Sequence, residues 1–127
     1  MTRIVAFTMF GTLPLGFLAT LWSFALFDRL LRIQFSEHHP EWERLGCPPG
    51  FFWVPSGAKT LLGGFSRGGL LWEWTARAPV WVSQSESALS AYRSFRRASI
   101  GSRVVLGLFL VEFAVLLLSI FTGVFER

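Results

Sequence analysis

Residues 4–27 read IVAFTMFGTLPLGFLATLWSFALF, a run of 24 without one charged side chain. A hydrocarbon core about 30 Å thick is crossed by roughly 20 helical residues rising about 1.5 Å each, so this run spans it with a little to spare for tilt. Its apolar core is far longer than the roughly 7–15 residues of a secretory signal. Its exit, Ser23-Phe24-Ala25-Leu26-Phe27-Asp28, holds no A-x-A cleavage pattern, so a retained span is expected. A second run, 104–125, is interrupted only by Glu112. Charged residues make up 16% of the 127-residue chain, against about a quarter in ordinary soluble domains. The expected fold is therefore an all-α membrane protein. Transmembrane helices 4–27 and 104–125 form an antiparallel hairpin, and residues 28–103 make an amphipathic, aromatic-rich cytoplasmic segment with short interfacial helices.

Charge orients the pair. Arg3 precedes the first run, Arg127 follows the second, and the other ten basic residues lie between them with six acids. Arg29, Arg32, Arg93, Arg96, Arg97 and Arg103 flank the spans, and cytoplasmic loops hold the excess of Lys and Arg. The middle segment is thus expected in the cytoplasm and both termini outside. The net charge of +4 fits attraction to anionic headgroups, about 1 kcal/mol per basic residue near the surface, and gives no reason to expect nucleic acid. Cys47 is the only cysteine, with no partner in the chain for a disulfide.

Three pieces make up the middle segment. In SEHHPEWERLGCPPG (36–50), Pro40 at a helix start, Glu41 and Glu43 near the positive helix end, and Gly46 after Leu45 describe a short helix and its stop. From 51 to 82 come Trp53, Trp72, Trp74 and Trp81, which with Trp42 are expected at the membrane interface facing lipid or a partner. Paired glycines at 63–64 and 68–69 weaken any helix there, and GGFSRGG lacks the strand and Lys spacing of a phosphate loop. In the last piece Ser83 and Glu86 have capping-box spacing. Arg93, Arg96, Arg97 and Arg103 share one side of a helix, while Ala88, Ala91, Tyr92, Phe95 and Ala98 share another. This piece is expected to run into the second span as one helix of roughly 40 residues.

Glu112 is the sharpest single feature, because a carboxylate near the centre of a span costs about 2.5–3.5 kcal/mol on insertion scales. Aligning the cytoplasmic ends of the two apolar runs places it near Thr20. That residue closes a stripe of small side chains, Thr8, Thr12, Gly16 and Thr20, suited to close helix packing. The expected polar contact inside the membrane is Glu112 with Thr20; contact with a partner and ion conduction are the alternatives. His38, His39 and Cys47 are weak metal candidates, since zinc needs three or four ligands and only carboxylates could complete the set. No catalytic residue and no cofactor is expected.

At His39, Pro40, Glu41, Trp42, Leu45, Gly46 and Pro48 the chain resembles small two-span proteobacterial inner-membrane proteins similar to universal stress protein B. In them HPE-W-x-x-LG-x-P follows span one, then come an aromatic juxtamembrane segment and a basic helix leading into span two. Where the family continues with a polar stretch, this chain has Pro49, Gly50, Phe51, Phe52 and Trp53. The resemblance implies an inner-membrane location and a link to stress or envelope function, without a reaction. The expected role is that of a non-enzymatic accessory or stabilising component. Its partners would be the bilayer with its anionic headgroups and a membrane protein or a homo-oligomer; the alternative is a proton- or ion-handling homo-oligomer centred on Glu112.

Overall fold

The computed structural model describes residues 2–125; Arg127, counted in the charge balance, lies outside them. The chain forms α1 (Thr2–Glu37), α2 (His39–Arg44), α3 (Thr60–Ala76), a 3₁₀ turn (Val80–Gln84) and α4 (Glu86–Phe125), with no strand among the described residues. By length and composition, α1 and α4 are both apolar enough to cross a membrane.

Helix α1 passes through Pro14 and does not stop where the apolar run meets Asp28. Helix α4 is a continuous 40-residue element, as the lack of any strong breaker after Ser85 requires. Its cap differs from the expected one: Ala88 N–H donates to Ser85 Oγ at 3.1 Å, whereas the Ser83 hydroxyl turns back to the Val80 carbonyl. Ser85 is the better placed acceptor because the N-cap side chain serves the third helical amide.

Pro40 sits in the first turn of α2, and Gly46, at φ +87°, ends it. Cys47 N–H reaches back to the Trp42 carbonyl and Gly46 N–H to that of Glu43, the paired bonds of a Schellman stop. Cys47 itself has φ +55°, a left-handed conformation costly for a side chain.

The long helices meet with opposite chain directions. Phe27 packs near Phe95, the face of Gly16 lies against Val105 and Leu106, and Thr12 touches Glu112. Packing is concentrated at one end. Phe27, Leu30 and Leu31 of α1, Trp42 of α2, Trp74 of α3, Trp81, Val82, and Ala88, Ala91 and Phe95 of α4 form a single buried cluster, the headpiece. Beyond it the long helices expose their apolar side chains, from Ile4 to Trp22 on α1 and from Ile100 to Phe121 on α4.

Ser23, Leu26 and Phe27, at the end of the 4–27 run, are buried in the headpiece. One expectation is corrected here. Trp42, Trp74 and Trp81, expected to face lipid or a partner, are buried in the same core, at 2, 3 and 6% exposure. The physical reason is that an indole satisfies a folded core as well as it satisfies an interface; Trp42, for example, donates its Nε1–H to the Pro48 carbonyl.

Candidate functional site

The headpiece is organised around Asp28, which is 4% exposed. Its Oδ1 accepts the Phe51 amide at 2.7 Å, and Oδ2 accepts those of Phe52 and Trp53 at 2.7 and 2.8 Å. Three consecutive main-chain donors converge on one carboxylate, an arrangement of charge-assisted bonds worth about 1.5–3 kcal/mol each. Gly50 closes the turn by donating its own N–H to the Trp53 carbonyl. The loop so fixed lays Phe51 flat on Phe24, with centroids 3.8 Å apart, and Arg67 covers the Phe51 ring while donating to the Gly50 carbonyl.

Helix α3 packs on the headpiece. Trp74 meets Phe27 with ring centroids 5.2 Å apart. Arg67, about 10 Å earlier along the helix, donates to the carbonyl of Gly50, the loop residue that lies against Asp28. Toward its C-terminal end Thr75 shares a hydrogen bond with Ser99 of α4 at 2.8 Å.

The two faces of α3 differ. Leu61, Phe65 and Trp72, spaced four and seven residues apart, form one stripe and are 86, 88 and 65% exposed. Trp72 lies under the Arg103 guanidinium, 3.8 Å from the ring centroid, one turn further than Ser99 toward the apolar part of α4. Glu73 and Trp74 instead turn to Gln34 and His38 near the opposite end of α1. Trp72 thus lies toward the apolar part of α4, and Glu73 toward the end of α1. Of the expected contact residues, Trp53 is half-buried beneath Arg32, and Arg93, Arg96 and Arg97 are exposed. Ala88, Ala91, Tyr92 and Phe95 are buried on the other face of α4.

Between the long helices, the Thr12 hydroxyl donates to Glu112 Oε2 at 2.7 Å. Thr20, the expected partner, donates to the Gly16 carbonyl of its own helix. The difference follows from the headpiece: Phe27 pairs with Phe95 and not with Val104, so α4 is displaced along α1 by about two and a half turns. Within the small-residue stripe, Gly16 is buried against α4, with an added Cβ 3.3 Å from Val105 and Leu106, whereas Thr8 is exposed and bonds the Val5 carbonyl.

His38, His39 and Cys47 are not gathered. His38 packs near Trp81, while His39 bonds the Phe35 carbonyl and approaches Glu43 at 3.5 Å. No group of three metal-ligating side chains occurs among the described residues. Sequence reasoning missed Asp28 and Arg67 as organising residues. The only signal for Asp28 was an acid at the end of an apolar run, and its three donors lie 23–25 residues away.

Comparison with known proteins adds no relative: no family model, curated protein or solved structure matches the chain. The class of protein defined by this fold is an all-helical chain with two potential membrane-crossing helices and a packed headpiece at one end.

Proposed function

We propose that the chain is a non-enzymatic integral membrane protein acting as an accessory or stabilising component. An antiparallel transmembrane hairpin would anchor the headpiece at the cytoplasmic face of a bacterial inner membrane, against another membrane protein. The observation that carries this reading is the division of packing. In the most apolar windows of α1 and α4, 6% and none of the residues are buried, while the headpiece holds the core. The exposed apolar stretch from Ile4 to Trp22 measures about 27 Å along a helix, close to a hydrocarbon core. Such helices need a surrounding apolar medium, and two of them leave most of their surface free for a neighbour.

The α3 stripe supports the same placement. Leu61, Phe65 and Trp72 would enter the interface, with Arg103, Arg67 and Arg32 at headgroup level over aromatic rings. The basic residues that flank both apolar stretches on the headpiece side favour a cytoplasmic headpiece. A role in stress or envelope function rests on the resemblance of residues 39–48 alone.

An ion-handling homo-oligomer would need Glu112 on a polar path. Glu112 instead uses one oxygen for Thr12 within the same chain, which favours its role as a polar clasp between the helices. The deciding experiment is native mass spectrometry of the chain extracted from its own membrane in mild detergent, paired with crosslinking before extraction. A particle holding a different protein supports the accessory reading. A homo-oligomer whose flux in vesicles is lost in Glu112→Gln would replace it.

A further inference from the structure

On the side of the headpiece away from the apolar helices lies a cleft of about 430 Å³, lined by the end of α1, by α2, by the end of α3 and by the 3₁₀ turn. That volume is in the range of small-molecule sites. Gln34 lines it and is wholly buried, yet neither its amide nitrogen nor its amide oxygen has a hydrogen-bond partner. His38, four residues on, also lines the cleft, and its Nε2 is likewise buried and unpartnered. Folded proteins rarely leave such groups unsatisfied, and a carboxamide has two donors and an acceptor to offer. Two unpaired polar groups on one cleft wall point to a ligand with complementary polar atoms.

The remaining lining defines the charge of that ligand. His38, Trp81 and Trp74 form one aromatic wall, with centroid separations of 5.3 and 5.8 Å. Glu41 is paired with Arg44 at 3.1 Å, which neutralises both. Glu73, on the same cleft, makes no ion pair among the described residues, so one carboxylate is in excess. Indole faces beside an uncompensated carboxylate attract cations. The absence of a three-ligand cluster among the described residues disfavours a metal ion.

We propose that this cleft binds a small organic ammonium ion bearing a hydroxyl or second amine. Its charged end lies against Trp74, Trp81 and Glu73, and its polar end bonds the Gln34 carboxamide. The site is built wholly from the headpiece and does not depend on the membrane role proposed for the long helices.

The test is calorimetric titration of the purified full chain, in a maltoside detergent that carries no ammonium group, with choline, ethanolamine and putrescine as probes. Saturable binding of at least one is expected. For choline, the uncharged isostere 3,3-dimethylbutan-1-ol should bind about tenfold more weakly or not at all. Glu73→Gln, an exposed change, should weaken the bound probe about tenfold. Gln34→Leu, which fills the same space without polar atoms, should abolish binding while the helical circular dichroism is kept. If Gln34→Leu does not fold, Glu73→Gln decides. Failure of all three probes to bind, or binding unchanged in Glu73→Gln, overturns the proposal.

Discussion

Gly50 sits so close to Asp28 that a Cβ added to it would lie 2.5 Å from the Asp28 Oδ1. The same Cβ would stand 2.7 Å from the Trp53 carbonyl, a main-chain atom that cannot swing aside. Gly50→Ala should therefore open the turn that presents three amides to Asp28, at a cost of about 1–3 kcal/mol. Denaturant unfolding of the headpiece, followed by tryptophan fluorescence in micelles, measures this. An alanine variant as stable as the parent would mean that the turn is not held as described.

Asp28→Ala removes the acceptor of three main-chain bonds and leaves partly buried donors unpaired. It should destabilise the headpiece by at least about 3 kcal/mol, more than Gly50→Ala, because each bond is charge-assisted. The double variant should cost much less than the sum, since both changes act on one turn. Full additivity in that cycle would disconnect the two residues.

Elements without competing readings were legible in the sequence. Pro40 and Gly46 bracket α2, and the breaker-free stretch after Ser85 gives the long α4. Register was not legible. Aligning hydrophobic ends treats the whole apolar run as span, whereas Leu26 and Phe27 belong to the buried cluster, with Phe27 against Trp74 and Phe95. The displacement of α4 follows from that packing, and with it the exchange of Thr20 for Thr12 as the Glu112 contact. Nor does composition separate core tryptophans from exposed ones: Trp72 and Trp74 are two residues apart on opposite flanks of α3, one 65% and the other 3% exposed. The Gln34 and His38 pair was hidden for another reason, because an orphaned polar group is defined only by what surrounds it.

The tryptophans provide a direct contrast. Trp42→Ala should destabilise the headpiece by about 3–5 kcal/mol, because a wholly enclosed indole and its bond to the Pro48 carbonyl are lost. Trp72→Ala should change unfolding by less than about 1 kcal/mol, apart from the loss of its contact with Arg103. Its effect should instead appear in depth-dependent quenching, where a fluorophore at position 65 moves away from lipid-phase quenchers. Equal destabilisation by the two substitutions would contradict the division of α3 into a core face and an exposed stripe.

Cysteine pairs test the register. In a Cys47→Ala background, Thr12→Cys with Glu112→Cys should form a disulfide on mild oxidation. Thr20→Cys with Glu112→Cys should not, because Thr20 lies about 12 Å further along α1 and a disulfide spans at most about 7 Å between Cα atoms. The reverse pattern would restore the alignment of hydrophobic ends.

Tyr92 is the only tyrosine in the chain, so tyrosinate absorbance reports on it alone. Burial in the headpiece raises its pKa above the ordinary value of about 10, and the nearby Arg96 opposes part of that rise. The sign of the stability effect follows from which state ionises first. As pH rises through about 10, the unfolded chain loses this proton while the folded chain keeps it, so the folded state binds more protons and stability falls with pH. Below that range the group contributes no slope, and above the folded pKa the loss levels off. The absorbance midpoint should therefore lie higher in the folded protein than in denaturant. Arg96→Gln should raise it further by removing the charge that favours phenolate, and Tyr92→Phe should remove this part of the alkaline loss of stability. Coincident midpoints in the folded and denatured protein would place the phenol in water and argue against the packing of α4 on the headpiece.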